Sequence, residues 1–266
     1  MARMKSIVKF QGLLDDVVFY QKNGKFFARR YNPLAKFRIM NAPEFARSRE
    51  NMQEFGGCVE VCKALKECIS PIKKKIDRYG EVKNRLMGLF KRINLRGVGL
   101  RGERSFDLYE NRYMIDGFEF NLRSQVSDVF NAPYTYTPDA LRNSAVLNIP
   151  PFDAKDYVSS PDGASHFRIL SGICVLSNFV YNSVEKKYLA VNTSLNKMSQ
   201  YVYSDYYGVK DNITLPITIN VGLDGSPLVP TDVVVLGFMG IEFYQYVDMD
   251  YYPFAQDNAL RIEKAF

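Results

Sequence analysis

The sequence predicts an α+β fold: an N-terminal β-hairpin plus a helical arm, followed by a C-terminal antiparallel β-sandwich of Ig-like or jelly-roll-like kind. Three observations point there. Two short apolar runs near the start flank Asn23-Gly24. Between about 42 and 94, apolar residues recur every three or four positions; from about 113 onward, short alternating runs separated by turn residues replace that period. Charge divides along the same line: residues 1–100 hold 22 Lys and Arg against 9 Asp and Glu, and residues 101–266 hold 13 against 20, so +13 and −7 make up the net +6. The chain therefore reads as a basic hairpin and helical arm (1–100), a linker (101–112) and an acidic, tyrosine-rich sandwich (113–266).

Taken in order, Val17-Val18-Phe19-Tyr20 and Phe26-Phe27-Ala28 are strands, and Asn23-Gly24 tolerates the positive φ of a two-residue hairpin turn. A helix is expected over 42–55, with Asn41 as N-cap, Pro43 in the first turn and Glu44 three residues after the cap. Phe45, Met52 and Phe55 share its face, and Gly56-Gly57 should end it. A second apolar stripe runs from Cys58 to Ile93, and Ser70-Pro71 divides it into helices at about 57–69 and 71–94, since Ser caps well and Pro is accepted at the first helical position. Strands are expected at 118–122, 134–136, 145–149, 167–181, 188–191, 200–203, 213–221, 233–247 and 259–262, punctuated by Ser160-Pro-Asp-Gly163 and Asp224-Gly-Ser-Pro227.

Composition narrows the class. With 47% apolar and 14% aromatic residues the chain is globular, and no run approaches the roughly 20 apolar residues of a membrane helix. The first residues meet Lys5 before any apolar run develops, so no signal peptide is read and a cytoplasmic location is the default. Cys58, Cys62 and Cys68 crowd together while Cys174 stands apart, unlike a paired disulfide framework.

Each motif that could carry chemistry also has a structural role open to it. Gly97, Gly99 and Gly102 match G-x-G-x-x-G, but a dinucleotide site needs a strand before the loop and a helix after it, and here the loop leaves a helix. A turn between arm and sandwich is expected, with no cofactor. The Cys58, Cys62, Cys68 spacing lacks a nearby His or second Cys pair for zinc, so buried thiols are expected and no metal. His166 is the single histidine, and beside it stands Ser165. Adjacent strand residues face opposite ways, so a nucleophile and base couple is not expected. No catalytic residue is assigned.

The basic residues say more. Lys73, Lys74, Lys75 and Arg78 would occupy the first turns of a helix, where the dipole disfavours each cation by about 0.3–1 kcal/mol. They form either a solvated face or a contact for an anionic partner: nucleic acid, or the acidic half of another copy. Arg29, Arg30, Arg47, Arg49, Lys91 and Arg92 extend this set. Conversely, 15 of 18 tyrosines lie beyond residue 100, and Tyr203, Tyr206, Tyr207, Tyr244 and Tyr246 form a candidate aromatic interface, since tyrosine suits half-buried contact surfaces.

Several stretches, Tyr20-Gln-Lys-Asn-Gly-Lys25 with Arg29-Arg30, the run from Phe45 to Gly56, Gly240-Ile-Glu-Phe-Tyr-Gln245 and Ala259-Leu-Arg-Ile-Glu-Lys264, together resemble an uncharacterised protein family of Bacteroidota. The resemblance implies a bacterial source and no catalytic residue. The leading expectation is a non-enzymatic structural protein that self-assembles head to tail, basic arm against acidic sandwich, into an oligomer, filament or particle. The alternative is a nucleic-acid-binding protein that uses the basic arm.

Overall fold

The structure, a computed structural model, describes residues 2–3, 10–72, 79–255 and 257–266. It divides into two compact units, Met1–Met52 and Gln53–Phe266. The order of elements is the expected one, with N-terminal hairpin strands and helices followed by antiparallel sheets.

In the first unit, strands β1 (Ala2–Arg3), β2 (Gly12–Leu14), β3 (Val17–Lys22) and β4 (Lys25–Arg30) form an antiparallel sheet ordered β1-β4-β3-β2. Asn23 and Gly24 close the β3-β4 hairpin at φ 51° and 72°, the turn their sequence requires. Tyr20 and Phe27 face each other across the hairpin with rings 5.7 Å apart. The next element departs from expectation. Helix α1 (Pro33–Asn41), with a proline in its first turn, precedes the helix expected from residue 42, and Asn41 donates its side-chain amide to the Phe37 carbonyl rather than capping. A 3-10 turn (Pro43–Phe45) then leads into helix α2 (Ala46–Cys68).

Helix α2 also runs through Gly56-Gly57, where it was expected to stop. Close approach explains the second glycine: a Cβ on Gly57 would lie 2.5 Å from the Phe106 ring and 2.7 Å from the Tyr188 ring. Past Cys68 the chain turns at Ser70-Pro71, with the Ile72 N–H bonded to the Ile69 carbonyl. Helix α3 spans Tyr79–Asn94, while 73–78 of the expected second helix lie outside the described residues.

The rest of the second unit is built on two long central strands. Short helix α4 (Val126–Val129), strands β5 (Thr135–Pro138), β6 (Ser144–Ile149) and β7 (Phe152–Asp153), and short helix α5 (Ala154–Tyr157) precede β8 (His166–Ser177). Then come β9 (Phe179–Asn182), β10 (Lys187–Ala190), β11 (Ser199–Tyr203), β12 (Tyr207–Gly208), β13 (Asn212–Ile213) and β14 (Ile217–Gly222), and finally β15 (Val233–Val247), β16 (Asp250–Pro253) and β17 (Ala259–Ala265). Strand β8 pairs with β15 over twelve residues, and β11, β12, β16 and β17 extend this sheet. A second, three-stranded sheet is ordered β14-β6-β5, and β9 with β10 and β7 with β13 form separate pairs.

Side-chain alternation assigns the layers. Leu170, Cys174 and Leu176 of β8, with Val234, Leu236 and Phe238 of β15, pack against Val61, Leu65, Leu86 and Phe90 of α2 and α3. On the opposite face, Ile169, Ile173, Val235 and Ile241 meet residues of β6 and β14 such as Leu147, Ile149, Val221 and Ile219. The two central strands are thus covered on both sides, by helices on one and by the smaller sheet on the other, which is why their sequence is almost continuously apolar. Compactness accordingly divides the chain after Met52, and the stretch 101–112 carries fully buried Phe106 and Leu108.

The expected strands 167–181 and 213–221 each divide, into β8 with β9 and into β13 with β14, whose members join different sheets, and 118–122 is not a regular strand. Residues 118–122 follow β17 through an isolated bridge, Glu119 to Arg261, and hydrogen bonds such as Phe120 N–H to the Leu260 carbonyl. At the end of the chain Phe266 exchanges two backbone hydrogen bonds of 2.9 Å with Val235, so the apolar tail adds to the sheet beyond β17.

Candidate functional site

Toward the first residues of β8 and the last of β15, the helix-covered face of the large sheet changes character. Two-residue steps lead from Leu170 to Arg168 and His166, and from Phe238 through Gly240 to Glu242, Tyr244 and Tyr246. Register places Arg168 opposite Glu242, His166 opposite Tyr244, and Tyr251 of β16 opposite Tyr246. Tyr203 ends β11 opposite Leu170, and the loop after it supplies Tyr206.

These side chains form one assembly. The Tyr206 and Tyr251 rings stack at 3.7 Å with planes 4° apart, Tyr244 meets Tyr206 edge-on at 5.0 Å, and His166 meets Tyr251 edge-on at 5.1 Å. The Arg168 guanidinium lies 4.3 Å from the Tyr203 ring centre and 4.6 Å from that of Tyr206, which suits its flat, weakly hydrated cation. Its Nε donates to the Ser204 carbonyl at 3.1 Å and its Nη1 to the Tyr206 hydroxyl at 3.3 Å. Beneath them, buried Glu242 accepts the Tyr203 hydroxyl at 3.2 Å and the Tyr244 hydroxyl at 2.6 Å. Burial, and then the Glu242 carboxylate, push both phenols well above the ordinary tyrosine range, so both remain donors.

Four of the five candidate tyrosines therefore come together, joined by Tyr251, Arg168, His166 and Glu242, which sequence reasoning did not assign. Tyr207 does not join them. It packs near Phe167 on the other face, 5.9 Å between rings, because β12 pairs with the start of β8. Beyond the tyrosines the β15-β16 turn carries Asp248 and Met249 at positive φ, and exposed Asp248 and Asp250 flank Met249, itself 87% exposed.

The structure corrects one expectation here. Ser165 precedes β8, so strand alternation does not separate it from His166, and its Oγ lies 3.0 Å from His166 Nδ1. The same Oγ accepts the Tyr246 N–H at 2.8 Å, which ties the end of β15 to the start of β8.

The basic candidates are placed differently from one another. Arg29 and Arg30 are exposed at the end of β4 and, with Tyr31, Lys36, Ile39 and Met40, line a cleft of about 400 Å³ in the first unit. Arg47 pairs with Glu50 at 3.0 Å, and Arg49 Nη1 donates to the Ile39 and Ala42 carbonyls at 2.8 Å each, bracing α1 against the start of α2. Lys91 is paired with Glu54, and Arg92 is exposed on α3. Lys73, Lys74, Lys75 and Arg78 lie outside the described residues.

Comparison with protein-family models, with curated proteins and with solved structures finds no match to this chain. Its chemistry must be argued from its own residues. All four cysteines are buried as free thiols, and burial raises Cys58 to about 11 and Cys62 to about 12. Among the described residues no group of three or more His, Cys, Asp and Glu side chains is placed to hold a metal ion, and no helix is long and apolar enough to cross a membrane.

Proposed function

We propose that the chain is a non-enzymatic structural protein that self-assembles head to tail through its N-terminal unit. One observation carries the reading: within Met1–Met52 no described side chain is buried, while Phe10, Leu13, Leu14, Tyr31, Phe37, Met40 and Met52 are 40–69% exposed. A sheet of short strands has to cover an apolar face to be stable, and some fifty residues make a marginal core even when well packed. Exposed apolar surface of this kind marks a contact with another molecule. Charge points to the partner: residues 1–52 hold 11 Lys and Arg against 4 Asp and Glu, residues 53–266 hold 24 against 25, and the tyrosine-rich end displays aspartates. Different but complementary surfaces join copies head to tail, in rings or filaments.

Sedimentation of purified protein over a range of concentration and salt tests this. Species larger than a monomer should form and should weaken as salt screens the charges. A monomer that persists at high concentration, whatever the salt, overturns the proposal.

The cleft lined by Arg29, Arg30, Lys36 and Tyr31 favours a second reading, nucleic-acid binding, in which cations meet phosphates and the ring meets a base. Affinity would then fall steeply with salt, replacing Arg29 and Arg30 by Gln would weaken it, and replacing Lys73, Lys74 and Lys75 by Gln would remove it while assembly persisted.

A further inference from the structure

We infer that the surface receiving the N-terminal unit of a second copy is the tyrosine end of the large sheet together with the β15-β16 turn. This rests on the self-assembly reading and adds the acceptor to it. Strand β8 stops pairing with β15 at Tyr244, and residues 245–252 continue as a two-stranded ribbon. Along that ribbon Tyr246 is 44% exposed, Val247 41%, Met249 87% and Tyr252 55%, an apolar set interrupted by exposed Asp248 and Asp250. Asp205, beside Tyr206, adds a third exposed carboxylate.

The ribbon has a rigid base. The Tyr206-Tyr251 stack and the Arg168 guanidinium between two rings fix the aromatic side chains before any partner arrives, so little conformational entropy is lost on contact. Aromatic contacts rimmed by charge are typical of protein interfaces. The matching occupant is apolar and cationic, and the first unit is both: exposed Leu13, Phe37 and Met40 accompany exposed Arg29 and Arg30. Nucleic acid is a poor match to the ribbon, because its phosphates would meet aspartates.

Charge exchange tests the pairing by sedimentation. The donor variant Arg29→Glu with Arg30→Glu and the acceptor variant Asp248→Lys with Asp250→Lys should each associate roughly tenfold or more weakly than the wild type. Mixed in equal amounts, they should assemble again, because the unchanged arginine pair meets the unchanged aspartate pair and each reversed end meets the reversed end of the other variant; both changes in one chain should likewise restore assembly. Should the lysine variant fail to fold by circular dichroism, Asp248→Asn with Asp250→Asn keeps a residue that tolerates positive φ and should still weaken association. An acceptor variant that folds and assembles like the wild type overturns this acceptor and leaves the self-assembly reading standing. A monomeric wild type overturns both.

Discussion

The Glu54 carboxylate accepts the backbone N–H of Gly102 at 2.9 Å. The glycine-rich run whose spacing resembles a phosphate cradle thus holds an anion that the chain itself supplies. Arg104 Nη1 approaches the same oxygen at 3.3 Å, Lys91 pairs with the other, and Tyr188 donates to the Gly102 carbonyl at 3.0 Å. The loop folds back on itself because Gly97 lets the Ser105 carbonyl approach to 2.0 Å from where a Cβ would stand. Replacing Glu54, 1% exposed, by Gln leaves Lys91 and Arg104 without their counter-charge. Urea unfolding at neutral pH should show a loss of about 2–3 kcal/mol; an unchanged midpoint would show that the network is dispensable.

Two carboxyls give opposite pH signatures. Burial raises the Glu54 carboxyl, but the Lys91 and Gly102 hydrogen bonds and the charges of Lys91 and Arg104 outweigh it and hold the group below its ordinary 4.5. Its stabilisation is present above the unfolded value and disappears as pH falls through the folded one, so wild type should lose its advantage over Glu54→Gln below about pH 4.5.

Glu119 goes the other way. Burial pushes it up to about 6 despite the Val126 N–H and Arg261. The folded state therefore holds a proton that the unfolded state has released, and stability falls as pH rises from 4.5 through 6. Glu119→Gln should lack this decline, a difference on the order of 1 kcal/mol between the two unfolding-versus-pH curves.

Adjacent glycines should respond in opposite directions. A Cβ on Gly56 meets nothing within 4 Å, so Gly56→Ala should stabilise helix α2 by about 0.5–1 kcal/mol. Gly57→Ala forces two packed rings to shift and should cost about 1–3 kcal/mol in thermal or urea unfolding.

Cys58, Cys62, Cys68 and Cys174 are all at most 5% exposed, and Cys58, Cys62 and Cys174 have thiols raised by burial. A thiolate-directed reagent should label the native protein slowly and all four residues rapidly in urea. Fast labelling of one of them in the native state would place it at the surface.

Much of the fold was legible locally. Asn23-Gly24 specifies its hairpin because few residues accept two successive positive φ values, and the almost continuously apolar runs of β8 and β15 mark strands covered on both faces. Less legible were features set by distant contacts. Gly56-Gly57 has the local signature of a helix end, yet Phe106 and Tyr188 require one of those glycines inside the helix. Strand alternation separates Ser165 from His166 only if both belong to the strand, and the first does not. At the tyrosine end, period and residue type indicate the four tyrosines, whereas Arg168, His166 and Tyr251 are recruited by strand register.

The sequence by itself determined the class and order of elements, the hairpin turn, the two central strands, and the division between a basic beginning and an acidic, tyrosine-rich end. These follow from backbone preferences and side-chain periods that act over a few residues. Only the tertiary structure decided that α2 and α3 pack on the large sheet, that Glu54 closes the glycine loop, and that Tyr206 stacks on Tyr251. Those outcomes depend on which residues, tens to more than a hundred positions apart, are brought within hydrogen-bonding or van der Waals reach, and short-range sequence patterns carry no record of such distances.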